Sequence, residues 1–215
     1  MKELLEKFFN LDDDQEREVL VQDGMQDDAV VKNEKLTFEK DLEIIIASDN
    51  HRIIKGLTQI LAHYPDADYF LHCGDANLES DHDVMRSFIA VRGNTDYHEG
   101  YADDEFVDLA SGERIWITHG HRYSVNFGTD NLVKNTKLGF TVTSPVDIIL
   151  YGHTHKVDVK MQEGMLIINP GSITRPRDGV LQTYARLLIT TDYYDIQILD
   201  VSDHSIIKEF RFPRE

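Results

Sequence analysis

The sequence predicts an α/β domain that follows an acidic N-terminal extension. From residue 42 to about residue 155, short β-branched runs alternate with apolar residues at helical spacing, a pattern typical of α/β folds. Short alternating strands with tight turns fill the remaining third of the chain. Polar side chains gather where the predicted strands end. We therefore divide the 215 residues into an extension, 1–41, and a folded domain, 42–215.

Composition indicates an ordinary globular protein with a strong negative charge. The chain is 41% hydrophobic and 28% charged, and 39 acidic residues against 22 basic ones give a net charge of −17. That charge disfavours long nucleic acids and anionic membranes as partners, so an anionic substrate needs local positive charge. No apolar run approaches the roughly 18 residues of a membrane span, and the charged first residues do not resemble a signal peptide. The single cysteine, Cys73, excludes an intramolecular disulfide and is compatible with a reducing cytoplasm, where we expect the protein.

The first 41 residues differ from the rest in charge. They hold 13 acidic and six basic residues, a net charge of −7. Apolar residues recur at helical spacing between Leu4 and Phe9, and an acidic run favours a second helix from Asp12 to about Val21. We expect the extension to dock on the folded domain or on a neighbouring subunit, or merely to cap an exposed sheet edge. A homo-oligomer is therefore left open.

The folded domain begins with a predicted βαβ unit. A β-branched run at 43–48 predicts a strand buried on both faces, apolar residues at 53–61 predict a helix, and 68–73 predicts the next strand. A helix near 81–88 and a strand at 89–91 continue the alternation. The remaining predicted elements are a strand at 114–118, a helix at 129–137, a strand at 147–151, and a C-terminal β-meander with strands at 157–161, 165–168, 183–189, 193–201 and 206–212.

Side chains that can bind metal follow five of the predicted strands. In chain order they are Asp49 and His51, Asp75, Asn94, His119 and His121, and His153 and His155. In extended backbone, residues i and i+2 point the same way, so His153 and His155 can face one small volume. Since open α/β sheets place ligands outside the carboxyl ends of their strands, we expect the five clusters to converge on one crevice. Each cluster alone is explained as well by loop or core chemistry, but the ordered set favours a site.

The chemistry of these side chains indicates two metal ions. Carboxylate, imidazole and amide carbonyl groups without a thiolate suit Mn, Fe, Zn, Co or Ni better than a soft metal. The seven expected ligands, Asp49, His51, Asp75, Asn94, His119, His153 and His155, are too many for one ion. If one carboxylate bridges, two ions about 3.5–4 Å apart are satisfied, an arrangement suited to phosphoester hydrolysis. Two such ions also supply the local positive charge that an acidic protein needs to hold an anionic substrate.

With these residues the chain resembles the calcineurin-like metallophosphoesterase superfamily, and most closely its small bacterial and archaeal phosphodiesterase branch. A further loop, Ile168-Asn169-Pro170-Gly171-Ser172, resembles one typical of that branch. The resemblance implies a four-layer α/β/β/α sandwich of two mixed sheets, with two divalent transition metal ions at one edge. Manganese is the expected metal, with Ni, Fe, Zn or Co as alternatives. By motif, Asp49, His51, Asp75 and His155 would hold one ion, and Asp75, Asn94, His119 and His153 the other.

The implied mechanism is the attack of a hydroxide that bridges the two ions on the phosphorus of a phosphodiester. Asn94 would be catalytic as well as a ligand. Many family members carry a histidine directly after this asparagine, whereas this chain has Thr95. His121 is our candidate for the missing general acid, and the alternative is that it only braces His119 through a hydrogen bond. Arg52 stands where the family usually has glycine, and it either contacts a substrate phosphate or is a solvated side chain.

Three other functions compete with the phosphodiesterase hypothesis. A phosphomonoesterase would use the same dimetal site and differ only in its substrate pocket. A relative of the same fold in the retromer coat serves as a protein-interaction scaffold, although here no expected ligand is lost. A nuclease acting on long polymers is disfavoured, because the net charge is −17 and the sequence shows no basic stripe. The expected partner is therefore a small phosphodiester or another phosphate ester, with no membrane and no long nucleic acid.

Overall fold

The computed structural model describes residues 41–139, 142–179 and 181–214, so the helices expected in the extension lie outside the described residues. One mixed sheet contains β1 (Leu42–Ala47), β2 (Tyr69–His72), β3 (Ile89–Ala90), β9 (Thr183–Ile189), β10 (Tyr193–Asp200) and β11 (Ile206–Pro213). The other contains β4 (Asp104–Asp108), β5 (Arg114–Thr118), β6 (Ile148–Leu150), β7 (Val157–Gln162) and β8 (Met165–Pro170). Their orders are β11-β10-β9-β1-β2-β3 and β4-β5-β6-β8-β7.

Two α-helices and three short 3₁₀ helices accompany the sheets in the described residues. The α-helices are α1 (Lys55–His63) and α2 (Asp130–Leu138), both within a residue or two of the predicted positions. The 3₁₀ helices are Met85–Ser87, His121–Tyr123 and Val125–Phe127. None of the helices in the described part of the chain has the length and hydropathy to cross a membrane.

Successive side chains of β1 point to opposite faces of the six-stranded sheet and so contribute to two different cores. Ile44 and Ile46 belong to the core between the two sheets, whereas Ile45 faces the other way and packs with Leu57 and Ile60 of α1. All three isoleucines are fully buried, as the β-branched run predicted. One layer of the fold is thus α1 on the outer face of the six-stranded sheet.

The second sheet repeats this arrangement on its own outer face. Trp116 of β5 and Ile149 of β6 pack with Leu132 and Val133 of α2, while the opposite faces of β5 and β6 contribute to the core between the sheets. The order is therefore helix, sheet, sheet, helix. This confirms the four-layer α/β/β/α sandwich of two mixed sheets.

Parallel strands in both sheets end at the same edge. β1 is parallel to β2 and β2 to β3, and in the other sheet β5 is parallel to β6. The backbone N–H of His153, after β6, donates a hydrogen bond to Oδ2 of Asp49, after β1, at 3.2 Å. The N–H of Asp49 in turn donates to the carbonyl oxygen of Gly74, after β2, at 3.1 Å. The strand ends thus converge on one crevice, as expected.

Three secondary-structure expectations were wrong. The helix expected near 81–88 is only the 3₁₀ turn Met85–Ser87, since so short a segment gains little from helix formation. Strand β4 was missed, because its DEFVD sequence carries acidic residues that are depleted in strands and it pairs only with β5 at the sheet edge. The C-terminal strands are not one meander: β7 and β8 pair in the five-stranded sheet, while β9, β10 and β11 extend the other sheet beyond β1.

Candidate metal centre

The loop after β1 is held against the loop after β2 by backbone hydrogen bonds. The N–H of His51 donates to the carbonyl oxygen of Asp75 at 3.0 Å, and the N–H of Arg52 donates to that of Ala76 at 2.8 Å. Asp49, His51 and Arg52 all adopt positive φ angles, of 56°, 44° and 72°. Such angles are uncommon outside glycine, and they are usually maintained by the surrounding structure. Here they turn the ligand side chains into the crevice.

Four side chains form the first half of the candidate centre. One ligand atom from each of Asp49, His51, Asp75 and His155 lies within 4.8 Å of the others. Nε2 of His51 and Nε2 of His155 face each other at 3.3 Å. These four residues are the set that the sequence assigned to one ion, and the structure brings them together.

The hydrogen bonds that Nδ1 makes in His51 and His155 determine whether Nε2 of the neutral ring carries a proton or a lone pair. Nδ1 of His155 donates to the carbonyl oxygen of Arg175 at 2.7 Å, and Nδ1 of His51 donates to Oδ1 of Asn77 at 3.1 Å. In a neutral ring with a proton on Nδ1, Nε2 carries a lone pair. Two lone pairs therefore point at each other and need a shared cation between them. A divalent metal ion meets that need.

A buried carboxylate oxygen completes this first half. Oδ1 of Asp49 lies 3.2 Å from Nε2 of His155, yet it is buried and accepts no hydrogen bond from the described residues. The other oxygen, Oδ2, accepts one from Oγ of Ser48 at 2.6 Å. Because an uncompensated buried charge is costly, the free oxygen is a further sign that a cation belongs here.

The second half of the candidate centre is built around an exposed amide. Oδ1 of Asn94 lies 3.1 Å from Nε2 of His119 and 2.8 Å from Nδ1 of His153. Nδ1 of His119 donates to the carbonyl oxygen of Cys73 at 2.7 Å, so its Nε2 carries a lone pair directed at another acceptor. Asp75 reaches this half too, with Oδ2 at 3.5 Å from Nε2 of His119. Asp75 therefore belongs to both halves.

His153 differs from the other three histidines in its hydrogen bonds. Its Nε2 accepts a hydrogen bond from the side-chain amide of Asn126 at 3.0 Å, which leaves the ring proton on Nδ1. That proton is donated to Oδ1 of Asn94. His153 is therefore satisfied without a metal, and its proton must move to Nε2 before Nδ1 can become a ligand.

Electrostatics separate the histidines in the same way. Burial alone lowers the pKa of His119 and of His155, but the nearby carboxylates of Asp75 and Asp49 stabilise the protonated rings and outweigh it, so both pKa values are raised above the usual value. Burial, together with positive charge on His119, lowers the pKa of His153. Burial also opposes ionisation of Asp75, yet hydrogen bonds from His119 and Thr95 bring its pKa well below the usual value. Asp75 is thus held as a carboxylate, as a bridging ligand requires.

Comparison with known proteins identifies the family. A model of the calcineurin-like phosphoesterase superfamily domain matches residues 42–192. The chain belongs to this superfamily. The probable metallophosphoesterase YsnB of Bacillus subtilis is 31% identical over 167 residues, which cover 77% of this chain and 95% of YsnB. The phosphodiesterase YfcE of Escherichia coli is 28% identical over 134 residues, which cover 59% of this chain and 64% of YfcE.

Solved structures of other proteins share the fold described above. A Streptococcus pneumoniae protein described as a predicted phosphoesterase has a TM-score of 0.73 and 29% identity, covering 81% of this chain and 99% of that protein. Vps29 of Entamoeba histolytica, crystallised in complex with Zn²⁺, has a TM-score of 0.61 and 21% identity, covering 80% of this chain and 99% of Vps29. At that identity the second likeness shows the fold alone.

The loop Ile168-Asn169-Pro170-Gly171-Ser172, which resembles one of this superfamily, and the residues just after it support the backbone of Asp49. Oγ of Ser172 donates to the backbone carbonyl of Asp49 at 2.9 Å, and Oγ1 of Thr174 donates to the same oxygen at 2.8 Å. This segment carries the chain from β8 in one sheet to β9 in the other. The strained Asp49 backbone is thereby fixed from the far side.

Asp96 fixes the loops that carry Asp75 and Asn94. Its carboxylate is buried and accepts hydrogen bonds from the backbone N–H groups of Asp75 at 2.9 Å, Asn77 at 2.6 Å and Gly93 at 2.7 Å. Glycine is required at position 93, because a Cβ atom there would collide with the side chain and backbone of Asp75. The two loops are therefore locked together.

His121 lies beside the second half of the centre. Its ring centroid is 5.3 Å from that of His119 and 6.2 Å from that of His153. Nδ1 of His121 is buried and has no hydrogen-bond partner among the described residues. His119 is braced by the carbonyl of Cys73 instead, so the hydrogen bond required by the bracing alternative is not formed.

Arg52 lies in a neighbouring pocket and not in the one that holds most of the ligands. A pocket of about 360 Å³ is lined by His51, Asp75, Asn94, Thr95, His153, His155, Arg175, Pro176 and Arg177. Arg52 lines a second pocket of about 380 Å³, which also includes Tyr97 and His98. Sequence reasoning missed Tyr97, His98 and Asn77, because loop residues of these types carry no spacing signal.

Proposed function

We propose that this chain is a dinuclear metal-dependent phosphoesterase that hydrolyses small phosphodiesters. The observation that carries the proposal is the pair of facing lone pairs in each half of the site, with one ionised carboxylate reaching both. Nε2 of His51 faces Nε2 of His155, and Nε2 of His119 faces Oδ1 of Asn94. When the rings are neutral, such contacts between acceptors are stabilised by a cation placed between them. The phosphodiesterase name of the relative YfcE supports the diester part.

The ligand sets follow from the two halves. Asp49, His51, Asp75 and His155 would hold one ion, and Asp75, Asn94, His119 and His153 the other, with manganese as the expected metal. When bound, the two ions would lower the pKa of a water molecule that attacks phosphorus and would neutralise charge on the phosphoryl oxygens. Asp75 is suited to the shared position because its carboxylate stays ionised and its backbone is fixed by Asp96.

Residues of the chain supply substrate contacts and a proton donor. The guanidinium groups of Arg175 and Arg177 line the same pocket as the ligands, and each can donate to phosphate oxygens. His121 can hold the proton for the leaving oxygen, since its ring lies beside those of His119 and His153 and its Nδ1 makes no hydrogen bond to the described residues. Burial lowers the pKa of His121, which favours release of that proton.

One assay tests the proposal. Metal content and hydrolysis of bis(4-nitrophenyl) phosphate are compared with hydrolysis of 4-nitrophenyl phosphate in Mn²⁺, for the wild type and for Asp75→Asn. We expect two ions per chain, faster turnover of the diester, and loss of both in the variant. If the monoester is clearly preferred, only the diester part fails. If no transition metal binds and neither ester is hydrolysed, the enzyme hypothesis fails.

A scaffold function is the second candidate, because Vps29 proteins are among the structural neighbours. A scaffold would fold normally and show no metal-dependent rate. The described residues include all seven expected ligands, four of them within 4.8 Å of one another and the other three linked in pairs through Asn94 and Asp75, which favours the enzyme. The wild-type arm of the same assay separates the two.

A further inference from the structure

The pocket that contains Arg52 opens directly beside the candidate metal centre. It has a volume of about 380 Å³ and shares His51, Thr95 and Arg175 with the pocket that holds the ligands. A phosphate group at the centre would therefore have one of its ester groups next to this second pocket. Among the described residues, no acidic side chain lines it. We call it the Arg52 pocket.

Two arginines give the Arg52 pocket a positive character, in contrast to the net negative charge of the chain. The guanidinium groups of Arg52 and Arg175 form no ion pair and no hydrogen bond with the described residues, although other arginines of the same chain, such as Arg186 and Arg211, pair with carboxylates. The chain as a whole carries a net charge of −17. Two guanidinium groups left free of carboxylates in one pocket are suited to an external anion.

The backbone conformation of Arg52 is unfavourable for a residue with a side chain. Its φ angle is 72°, in the left-handed region that glycine adopts without strain, and its N–H is fixed by the hydrogen bond to Ala76. A solvated arginine with no role gains nothing at such a position. Strained residues of this kind cluster where a side chain binds a ligand.

Two aromatic side chains also line the Arg52 pocket. Tyr97 is 87% exposed and His98 is half-buried, and both line the pocket. An exposed ring beside guanidinium groups offers a stacking face for a flat group. The pocket therefore combines recognition of a flat group with recognition of negative charge.

We infer that the Arg52 pocket binds a planar ester group of the substrate that carries a second negative charge, a carboxylate or a phosphate. The inference rests on the proposed function for the phosphate that occupies the metal centre. It places Arg52 on the ester group, and Arg175, which lines both pockets, within reach of that group as well as of the phosphate. The substrate class is then a phosphodiester with a flat, anionic ester group.

Calorimetry with uncleavable probes tests this inference. Three benzenephosphonates that carry a carboxamide, a carboxylate or a second phosphonate in the para position are titrated into the Mn²⁺-loaded full chain. Their P–C bond resists ester hydrolysis, so binding is measured without turnover. We expect both anionic probes to bind at least about 10-fold more tightly than the carboxamide, as charge-assisted hydrogen bonds to arginine predict. The tighter of the two identifies the anionic group that the pocket prefers.

Matched variants separate the Arg52 pocket from the general charge of the site. In Arg52→Gln and in Arg175→Gln the preference for anionic probes should fall by a factor of a few, whereas Arg86→Gln, at an exposed position paired with Asp83, should keep it. Thermal unfolding of each variant confirms that it is folded. Equal binding of all three probes to the wild type, an equal loss in Arg86→Gln, or no binding of any probe would overturn the inference. Hydrolysis of bis(4-nitrophenyl) phosphate by the same preparations tests the proposed function separately.

Discussion

The two halves of the candidate metal centre share Asp75 but differ in how firmly their ligands are held. In the first half, Asp49 and His155 are buried, and the Nδ1 atoms of His51 and His155 are fixed by acceptors. In the second half, Asn94 is exposed and His153 is half-buried. In the second half, Asn126 donates to Nε2 of His153 and so keeps the ring proton on Nδ1, the atom that faces the centre. Among the four histidine ligands, His153 is the one whose hydrogen bonds oppose metal binding.

This difference means that the protein orients the ligands of one metal site before binding more completely than those of the other. Orientation of ligands before binding avoids part of the ordering cost, and a wrong tautomer adds to it. The first half is also the more strained: all four of its ligands, Asp49, His51, Asp75 and His155, have positive φ angles, whereas of the four in the second half Asp75 and His153 do and Asn94 and His119 do not. We therefore expect the first half to bind its ion more tightly. The predictions below test this ranking.

The largest effect is expected for Asp75→Asn, because this residue belongs to both halves. The substitution keeps the size of the side chain and removes the shared charge, so neither ion is held. The rate on an aryl phosphodiester should fall by more than about 100-fold, the upper range for losing even a supporting residue of a metal site. Metal analysis should show less than one ion per chain. Asp108→Asn, at an exposed position paired with Arg114, is the control and should keep both ions.

Removal of the two histidines after β6 should affect different ions. His155→Ala should abolish tight binding of the first ion, while His153→Ala should leave one tightly bound ion per chain. Titration of Mn²⁺ into chelator-treated protein, followed by calorimetry, counts and ranks the sites. His63→Ala, at the end of α1, serves as the histidine control. If both variants lose the same ion, the division of the centre into two halves is wrong.

A smaller pair of effects concerns the residues behind the ligands. Asn77→Ala removes the acceptor that fixes His51, and the affinity of the first ion should drop about 10–100-fold. Asn77→Asp, which keeps an acceptor oxygen, should restore most of that affinity. Asn126→Ala removes the donor to Nε2 of His153 and frees the ring proton to move, so the second ion should bind more tightly by a factor of a few. A loss of second-ion affinity in Asn126→Ala would contradict the tautomer argument.

The sequence predicted some strands of the fold accurately and missed others. Buried parallel strands are near-continuous β-branched runs, so β1 was placed to within one residue. Edge strand β4 has no such run. Its extended conformation is stabilised by pairing with β5, which the local sequence does not indicate. The transfer of the chain from β8 to β9 in the other sheet depends on packing between the sheets, which local periodicity does not encode.

For the site, residue type and strand-end position were enough to find the ligands but not their surroundings. The structure brings Asp49, His51, Asp75 and His155 together as expected. Which imidazole nitrogen is free depends on carbonyl groups such as that of Arg175, and any residue can supply a carbonyl. For Arg52 the sequence left a phosphate contact and a solvated side chain as alternatives, and it did not predict that this residue lines the neighbouring pocket, because the direction of a side chain on a left-handed residue cannot be deduced from spacing.

The smallest effect tests the strain of the first half directly. Arg52→Gly should stabilise the fold, because the left-handed conformation costs about 1–2 kcal/mol for a residue with a side chain and only part of this is offset by the greater entropy of glycine in the unfolded chain. A net gain of about 0.5–1 kcal/mol corresponds to a rise of about 1–4 °C in the midpoint of thermal unfolding. Arg175→Gly is the matched control: its backbone is not left-handed, so the same replacement should lower the midpoint. A lower midpoint in both variants would mean that Arg52 stabilises the fold. Opposite signs would mean that this arginine is retained at the expense of stability, as a substrate contact would be.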